Sequence, residues 1–564
     1  MTSIAALKTQ FLERIGNAIP IPSWCESGIY CIGLIQIYLY TWILDDACVY
    51  FRYIDNFLLG NGLVFNKGEY VEGFTSPAWC LLLLLTRGSG MGYGTIIPAT
   101  GLVLFTVFWY FLVVINRRMS TPEAAAINMP LLLTATNFGV VTWFTSGMET
   151  PLQMVFAAIY AIFVLRPECK RWQAAIGFSF LVRPEYALLM ASSFAWVWVK
   201  SRRFPWFIIP AWAVIIGPWM LFRVWYYADI FPNTYYVKDT TNFLAGIAYL
   251  IDALQPYHLV PFGLLFVLLV FFLLKTSSDS IVMAKERGVM LLMAGILTAS
   301  TARFGGDTWH FRQMAFPVIM ALCAASGIAE AVVAKINPQQ RRIVSMLFCL
   351  VLGLVTLESY PRQLTTHPLL IKYEWRNVPD LGDLGKLSAS MQYSKTNPFP
   401  HIFVDNIECP SIAFCRAFYD RVVKQAKAEF PAAAKPNVSY RKAMRSGLCL
   451  AAWENMDCYM VQSFGLTNPV LGRADLPSDI PGHKYGVDAL AQDVCELTVR
   501  NNMTWRPGMY DHAGAEGNTP GWIRENIDSI RVLERKALNR HNLLENVRLA
   551  FSFPSPIHIT PAGK

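Results

Sequence analysis

Two adjacent carboxylates, Asp45 and Asp46, follow the first long apolar stretch of the chain. A positioned carboxylate is what an enzyme needs to take a proton from a hydroxyl. Two this close push one pKa up, which suits a base. At a membrane edge a charged pair is costly unless it faces water or does chemistry. Alone, the pair reads equally as the solvated end of a helix. Its surroundings favour chemistry. Arg52, Asp55, Asn56, Asn66, Glu69 and Glu72 follow, interleaved with Tyr50, Phe51, Tyr53 and Phe57, and GNG at Gly60 and NKG at Asn66 supply tight turns. Residues 45–95 thus read as a compact polar–aromatic loop on the membrane surface, able to cover a site where a lipid-linked substrate meets a water-soluble one.

Four further polar segments interrupt the apolar chain: SGMETP at Ser146, RPE at Arg183, FPNTYYVK at Phe231 and FGGDTWHFR at Phe304. Arginine grips phosphate bidentately and stabilises departing negative charge. Arg183, Lys238 and Arg312 are the favoured phosphate ligands, ahead of Arg52 and Arg303; the alternative for each is snorkelling or pairing with an acid. Glu149, Glu185 and Asp307 are candidates for the donor sugar and its surroundings, although Glu149 also reads as a helix cap before Pro151. His310 reads as a phosphate ligand or a structural histidine. Tyr235 and Tyr236 stack on a sugar or sit in the aromatic belt. The adjacent acids leave a divalent cation possible, but a monophosphate leaving group beside several cations does not require one.

Helices must position these groups. The 564-residue chain is 54% hydrophobic and 15% charged, against roughly 25% charged in soluble domains. The net charge of +9 reads as Lys and Arg gathered in cytoplasmic loops, not as a nucleic-acid surface. There is no zinc spacing, Walker loop or dinucleotide fingerprint. Apolar windows predict about eleven spans, near 28–44, 96–115, 127–146, 150–165, 171–183, 184–199, 206–226, 257–275, 287–302, 313–334 and 342–358. The first is read as a retained span, with no cleavage site before Asp45. With the N-terminus inside, the basic clusters at Lys8/Arg14, Arg117/Arg118, Lys170/Arg171, Lys200–Arg203, Lys275–Arg287 and Lys335–Arg342 all fall on the cytoplasmic side. The five polar segments then share the outer face. The map requires that AWCLLLLLT after Pro77 does not cross.

Residues 1–360 form the expected membrane part and 361–564 an extracytoplasmic α/β domain of about 200 residues. HIFVD at His401 reads as a strand and Asp420–Phe430 as an amphipathic helix. Among five cysteines there, Cys409–Cys415 and Cys449–Cys458 are the simplest disulfides, leaving Cys495; reduced buried thiols are the alternative.

The first-loop segment DDACVYFRYIDNFLLGNGLVFNKGEYVEGFTSPAW resembles that of the C-type (GT-C) glycosyltransferases, most closely the mycobacterial terminal arabinofuranosyltransferase and pilin arabinosyltransferase family. SGMETPLQ, LVRPEY, FPNTYYVK, FGGDTWHFRQMAFP and SFGLTNPVLGRADLPSDIPGHKYG are similar to further motifs of that family, with Asn468 standing where Asp is usual. The resemblance implies a GT-C fold and a polyprenyl-phosphate sugar donor, most simply carrying D-arabinofuranose. It also implies inverting single displacement, with Asp45 as base ahead of Asp46 and no cofactor required. Arg52, Asn56, Glu69 and Glu72 then build the first loop or meet the acceptor.

The expected protein is therefore a multi-pass glycosyltransferase of a bacterial inner membrane, with its site and C-terminal domain facing the periplasm. Its partners are the lipid-linked sugar, the bilayer and a glycan or pilin-type acceptor; nucleic acid is not among them. The alternatives are a flippase for the same lipid, which would place charges at mid-span and show repeats, or a non-catalytic envelope assembly protein.

Overall fold

A computed structural model of the chain describes residues 23–39, 41–119, 129–238, 243–254, 280–307, 309, 311–333, 363–364, 371–372, 443–446, 449–462, 465–476, 478–480, 483–484, 487–500, 520–538 and 542–558. The windows at 257–275 and 342–358, HIFVD, Asp420–Phe430, Cys409, Cys415 and His310 lie outside these residues.

The first part is helical: α1 (Trp24–Leu39), α2 (Ala47–Leu58), α3 (Pro77–Arg87), α4 (Tyr93–Met119), α5 (Met129–Ala135), α6 (Phe138–Val141), α7 (Thr150–Leu165), α8 (Lys170–Gly177), α9 (Ser179–Val182), α10 (Ala187–Ser201), α11 (Ile208–Tyr227), α12 (Asn233–Lys238), α13 (Phe243–Leu254), α14 (Ser280–Arg303) and α15 (Ala315–Val333). Among the described residues, Tyr93–Arg118 and Ile208–Tyr227 are long and apolar enough to cross a membrane. Two windows expected as single spans are broken. The window 127–146 divides at Asn137, whose side chain caps α6 by accepting the Val140 amide at 3.1 Å. The window 171–183 divides between α8 and α9 at Phe178. Helix α3 has 11 residues, so it rises only about 16 Å, far short of a bilayer. Pro77 opens it and Ser76 caps it, accepting the Trp79 amide at 3.3 Å.

Helices α4, α7, α14 and α15 pack on one another around a single large core. Two ion pairs join residues far apart in sequence: Arg117–Glu26 at 2.6 Å and Lys200–Glu286 at 2.5 Å.

The later segment contributes β1 (Gln363–Leu364), β2 (Ile371–Lys372), β3 (Ala443–Ser446), α16 (Cys449–Glu454), β4 (Tyr459–Gln462), α17 (Pro469–Gly472), β5 (Ala474–Asp475), β6 (Ser478–Ile480), β7 (His483–Lys484), α18 (Val487–Arg500), α19 (Gly521–Glu525), α20 (Ile527–Leu538), α21 (Leu543–Ala550) and β8 (Ile557–His558). Strands β3 and β4 pair in parallel, as do β5 and β8, while β1–β2 and β6–β7 are antiparallel. Every sheet among the described residues has two strands.

This segment does not stand apart from the membrane part. Helix α16 packs on α2, and Trp453, Met456 and Cys458 belong to the main core. Cys449 and Cys458 are both buried, and the expected Cys449–Cys458 disulfide is not formed. A helix advances about 1.5 Å per residue, so α16 carries the chain away from Cys449 before Cys458 is reached.

Candidate functional site

Asp45 and Asp46 open α2. The Leu44 amide donates to the Ser146 carbonyl at 2.8 Å, docking the SGMETP loop beside the acids. Trp79 adds an indole bond to the Gly147 carbonyl at 2.8 Å. Gly147 has φ +78°, and a Cβ there would come within 2.8 Å of the Ala47 Cβ, so this contact requires glycine. Asp46 occupies the N-cap position of α2, but its side chain makes no capping bond. It is instead 35% exposed and 3.8 Å from the Arg312 guanidinium. Asp45 accepts the backbone amide of Cys449 at 2.8 Å. The two acids thus face different partners: Asp46 the arginines, Asp45 the C-terminal segment.

Glu149 is buried at the start of α7 and likewise makes no capping bond. Its Oε1 accepts Arg183 at 2.7 Å and Arg312 at 3.2 Å. Burial alone would raise its pKa, but Arg312 and Arg183 hold it at about 2. Arg183 also pairs with Glu185 at 2.6 Å. Two positive-φ glycines, Gly305 and Gly306, turn the chain into Asp307. Asp307 lies 3.8 Å from Arg312 and accepts the Trp309 amide at 3.1 Å. Burial pushes Asp307 up, but Arg312 and Lys238 outweigh it and hold the carboxyl below its usual value. Lys238, half-buried at the end of α12, is pushed below the usual ammonium value by desolvation and then by Arg312, against the pull of Asp307. Phe311, immediately before Arg312, has φ +63°, a strained conformation for an aromatic residue and one that clusters at functional sites.

These groups adjoin a cavity of about 440 Å³. Arg183, Glu185, Lys238, Asp307 and Tyr235 line it together with Gln153, Arg223 and Gln313. Phe180, Leu188, Met220, Ile230, Leu297, Phe304 and Phe316 make the rest of the wall apolar. Ligand pockets typically measure about 300–1,000 Å³. Tyr235 stacks on Phe231 with ring centroids 4.7 Å apart. Tyr236 turns elsewhere, donating to Asp229 at 3.0 Å beneath the Arg473 guanidinium. Arg303 is exposed and does not line the cavity.

The sequence did not single out Gln313 or Arg223. Gln313 donates to Asp307 at 2.6 Å and accepts from Arg183 at 3.2 Å, joining two of the proposed ligands. Nothing in the R-Q-M-A-F-P run marks it. Arg223 sits within an apolar window and is held bidentately by Glu72 at 2.5 and 3.0 Å. Several buried polar atoms here have no hydrogen-bond partner: Glu149 Oε2, Arg312 Nε, Thr145 Oγ1, Thr150 Oγ1 and Gln153 Nε2. Of these residues Gln153 lines the cavity.

The remaining first-loop residues are structural. Arg52 is fully buried and donates to the carbonyls of Phe65, Ala452, Asn455 and Cys458 and to Asn66. Asn56 donates to the carbonyls of Val64 and Phe65 at 2.9 and 3.0 Å. Glu69 accepts Asn66 at 3.0 Å and the Tyr459 hydroxyl. Glu72 is consumed by Arg223. The GLTNP loop docks beside them: Asn233 of FPNT donates to the carbonyls of Gly465, Leu466 and Asn468, and Asn468 caps α17 at 3.0 Å to two amides. Asparagine serves as a cap without charge.

The ligand atoms of Asp45, Asp46 and Cys449 lie within 4.8 Å of one another. Burial and then the two carboxylates push the Cys449 thiol well above its ordinary value. This trio does not fit a hard divalent cation, which wants oxygen ligands.

Two curated proteins resemble the chain. One is the terminal beta-(1->2)-arabinofuranosyltransferase of Mycobacterium tuberculosis, 29% identical over 259 residues, which cover 40% of this chain and 40% of that protein. The other bears the same name in Corynebacterium glutamicum and is 25% identical over 349 residues, 52% of this chain and 48% of that protein. No family model and no solved structure matches. The chain spans less than half the length of the curated relatives it matches, and the likeness expected from its first loop is borne out: it is similar to the terminal arabinofuranosyltransferases.

Proposed function

We propose that this protein is a multi-pass inner-membrane glycosyltransferase. It moves a sugar, D-arabinofuranose, from a polyprenyl-phosphate donor to a hydroxyl of a glycan or pilin-type acceptor outside the cytoplasmic membrane. The observation that carries the reading is the 440 Å³ cavity, whose walls join a polar part that includes Arg183, Lys238 and Asp307 to many apolar side chains. A lipid-linked sugar phosphate has the same division. The polar part takes the sugar and phosphate, the apolar side chains take the first isoprene units, and the longer tail lies outside. The names of the two relatives support the arabinofuranosyl donor.

In the proposed reaction Asp45 takes the acceptor hydroxyl proton as that oxygen attacks the anomeric carbon. The bond from that carbon to the phosphate oxygen breaks, its electron pair leaves with the polyprenyl phosphate, and the configuration inverts. Arg183, Arg312 and Lys238 stabilise the departing charge. Asp46, held toward Arg312, orients the two substrates. Asp45 suits the base because it lies against Cys449 of the C-terminal segment, the part of the chain that in this reading holds the acceptor.

The test is transfer from decaprenyl-phosphoryl-arabinose to a candidate acceptor by the purified protein. General-base loss in Asp45→Asn should lower kcat by about 10²–10⁴. Full activity in that variant would remove Asp45 as the base, and a folded preparation inactive with every lipid donor would defeat the reading.

A further inference from the structure

Helix α21 carries LLENVRLA and is followed by Phe551 and Phe553. Asn542 caps it, accepting the Glu545 amide at 3.1 Å. Asn546, Leu549 and Ala550 turn inward and are buried. Asn546 donates at 2.7 Å to the carbonyl of Trp225, in the last turn of α11. Leu543, Leu544, Val547 and Phe551 face out, with Leu544 83% and Phe551 64% exposed. At about 100° per residue these four share one arc of roughly 100°, adjacent to the buried arc. Glu545 and Arg548 lie on the remaining side. A helix with a packed arc, an exposed apolar arc and a charged arc has the pattern of one lying in a membrane interface.

The position decides the occupant. Helix α11 is long and apolar enough to span, and it exposes Ile209, Val214, Leu221 and Trp225 along its length. Such residues on a spanning helix meet lipid. The buried arc of α21 packs on α11 and bonds to Trp225, at the end of that exposed face, and Trp favours this depth. We infer that α21 is an interfacial anchor that seats the C-terminal segment in the bilayer leaflet where α11 ends. The inference rests on the membrane reading of α11 and goes beyond it, since it gives the C-terminal segment its own contact with lipid.

The experiment places the photo-cross-linker p-benzoylphenylalanine at Leu544, at Glu545 or at Leu221 of the full chain in phosphatidylglycerol–phosphatidylethanolamine nanodiscs, and reads lipid adducts by mass spectrometry. Adducts are expected at Leu221 and Leu544, with those at Glu545 weaker by about five-fold. Adducts at Leu221 without any at Leu544, equal yields at Leu544 and Glu545, or cross-links from Leu544 to a second copy would overturn the anchor while leaving the membrane reading standing. No lipid adduct at Leu221 would overturn both.

Discussion

One oxygen of Glu149 serves two arginines, and this sets the charge of the site. Arg183, Arg312 and Lys238 are already met by Glu149, Glu185, Asp307 and Asp46. The cluster therefore holds no surplus positive charge, and an incoming phosphate must displace a carboxylate, of which Asp46 and half-buried Glu185 are the most accessible. Donor affinity then comes chiefly from the tail, and a sugar phosphate lacking the polyprenyl chain should inhibit weakly; tight inhibition by the short compound in the transfer assay would contradict this. Glu149→Gln removes the carboxylate that two buried guanidinium groups share, leaving Arg183 to Glu185 and Arg312 to the more distant Asp46 and Asp307, and should cost about 3 kcal/mol in thermal unfolding. Because Glu149 titrates at about 2, its stabilisation is present above the usual carboxylate range and fades only as pH falls toward 2. It contributes no acid limb near neutral pH. Gln313→Leu removes the link between Arg183 and Asp307. A hydrogen bond to a charged group is worth about 1.5 kcal/mol, so kcat/KM should fall about tenfold in a folded variant. These acids and arginines were legible in the sequence because charge is conspicuous in an apolar chain. Gln313 was not, because a neutral amide beside an arginine carries no signal until its two partners are placed.

At the scale of elements, short motifs interlock across long separations. The first loop, the FPNT turn and the GLTNP loop meet at Asn233, and Glu69 ties the first loop to Tyr459 of β4. Burial pushes the Glu69 carboxyl up to about 7, so the folded form binds its proton more tightly than the unfolded chain does. Its contribution to stability must therefore decline as pH rises from about 4.5 to about 7. Glu69→Gln should flatten that part of the pH dependence of the unfolding midpoint, and an unchanged slope would dismiss Glu69 as its source. The helix positions were largely legible, since apolar runs mark them. Their breaks at Asn137 and Phe178 were not, because a polar residue inside an apolar window cannot be told from a tolerated one without its partner. The Cys449–Cys458 pairing failed for a related reason: spacing says nothing of the helix lying between.

At the scale of the molecule, the division at residue 361 understates how the chain is built. Trp453 donates to Asp55 at 2.8 Å, and α16 fills part of the main core. Deleting 361–564 should lower the thermal midpoint of the membrane part or prevent its folding, rather than yield a stable donor-binding fragment; an unaltered midpoint on differential scanning would refute this. Sequence could not disclose the union, since most of Arg52's partners are main-chain carbonyls, which every residue has. That arginine also imposes an order in time. Cys458 lies 406 residues beyond it. At about 5–20 residues per second of synthesis, its carbonyl partners at Ala452, Asn455 and Cys458 emerge roughly 20–80 s after Arg52 does. The loop holding the two acids must wait that long before the contacts that complete it exist.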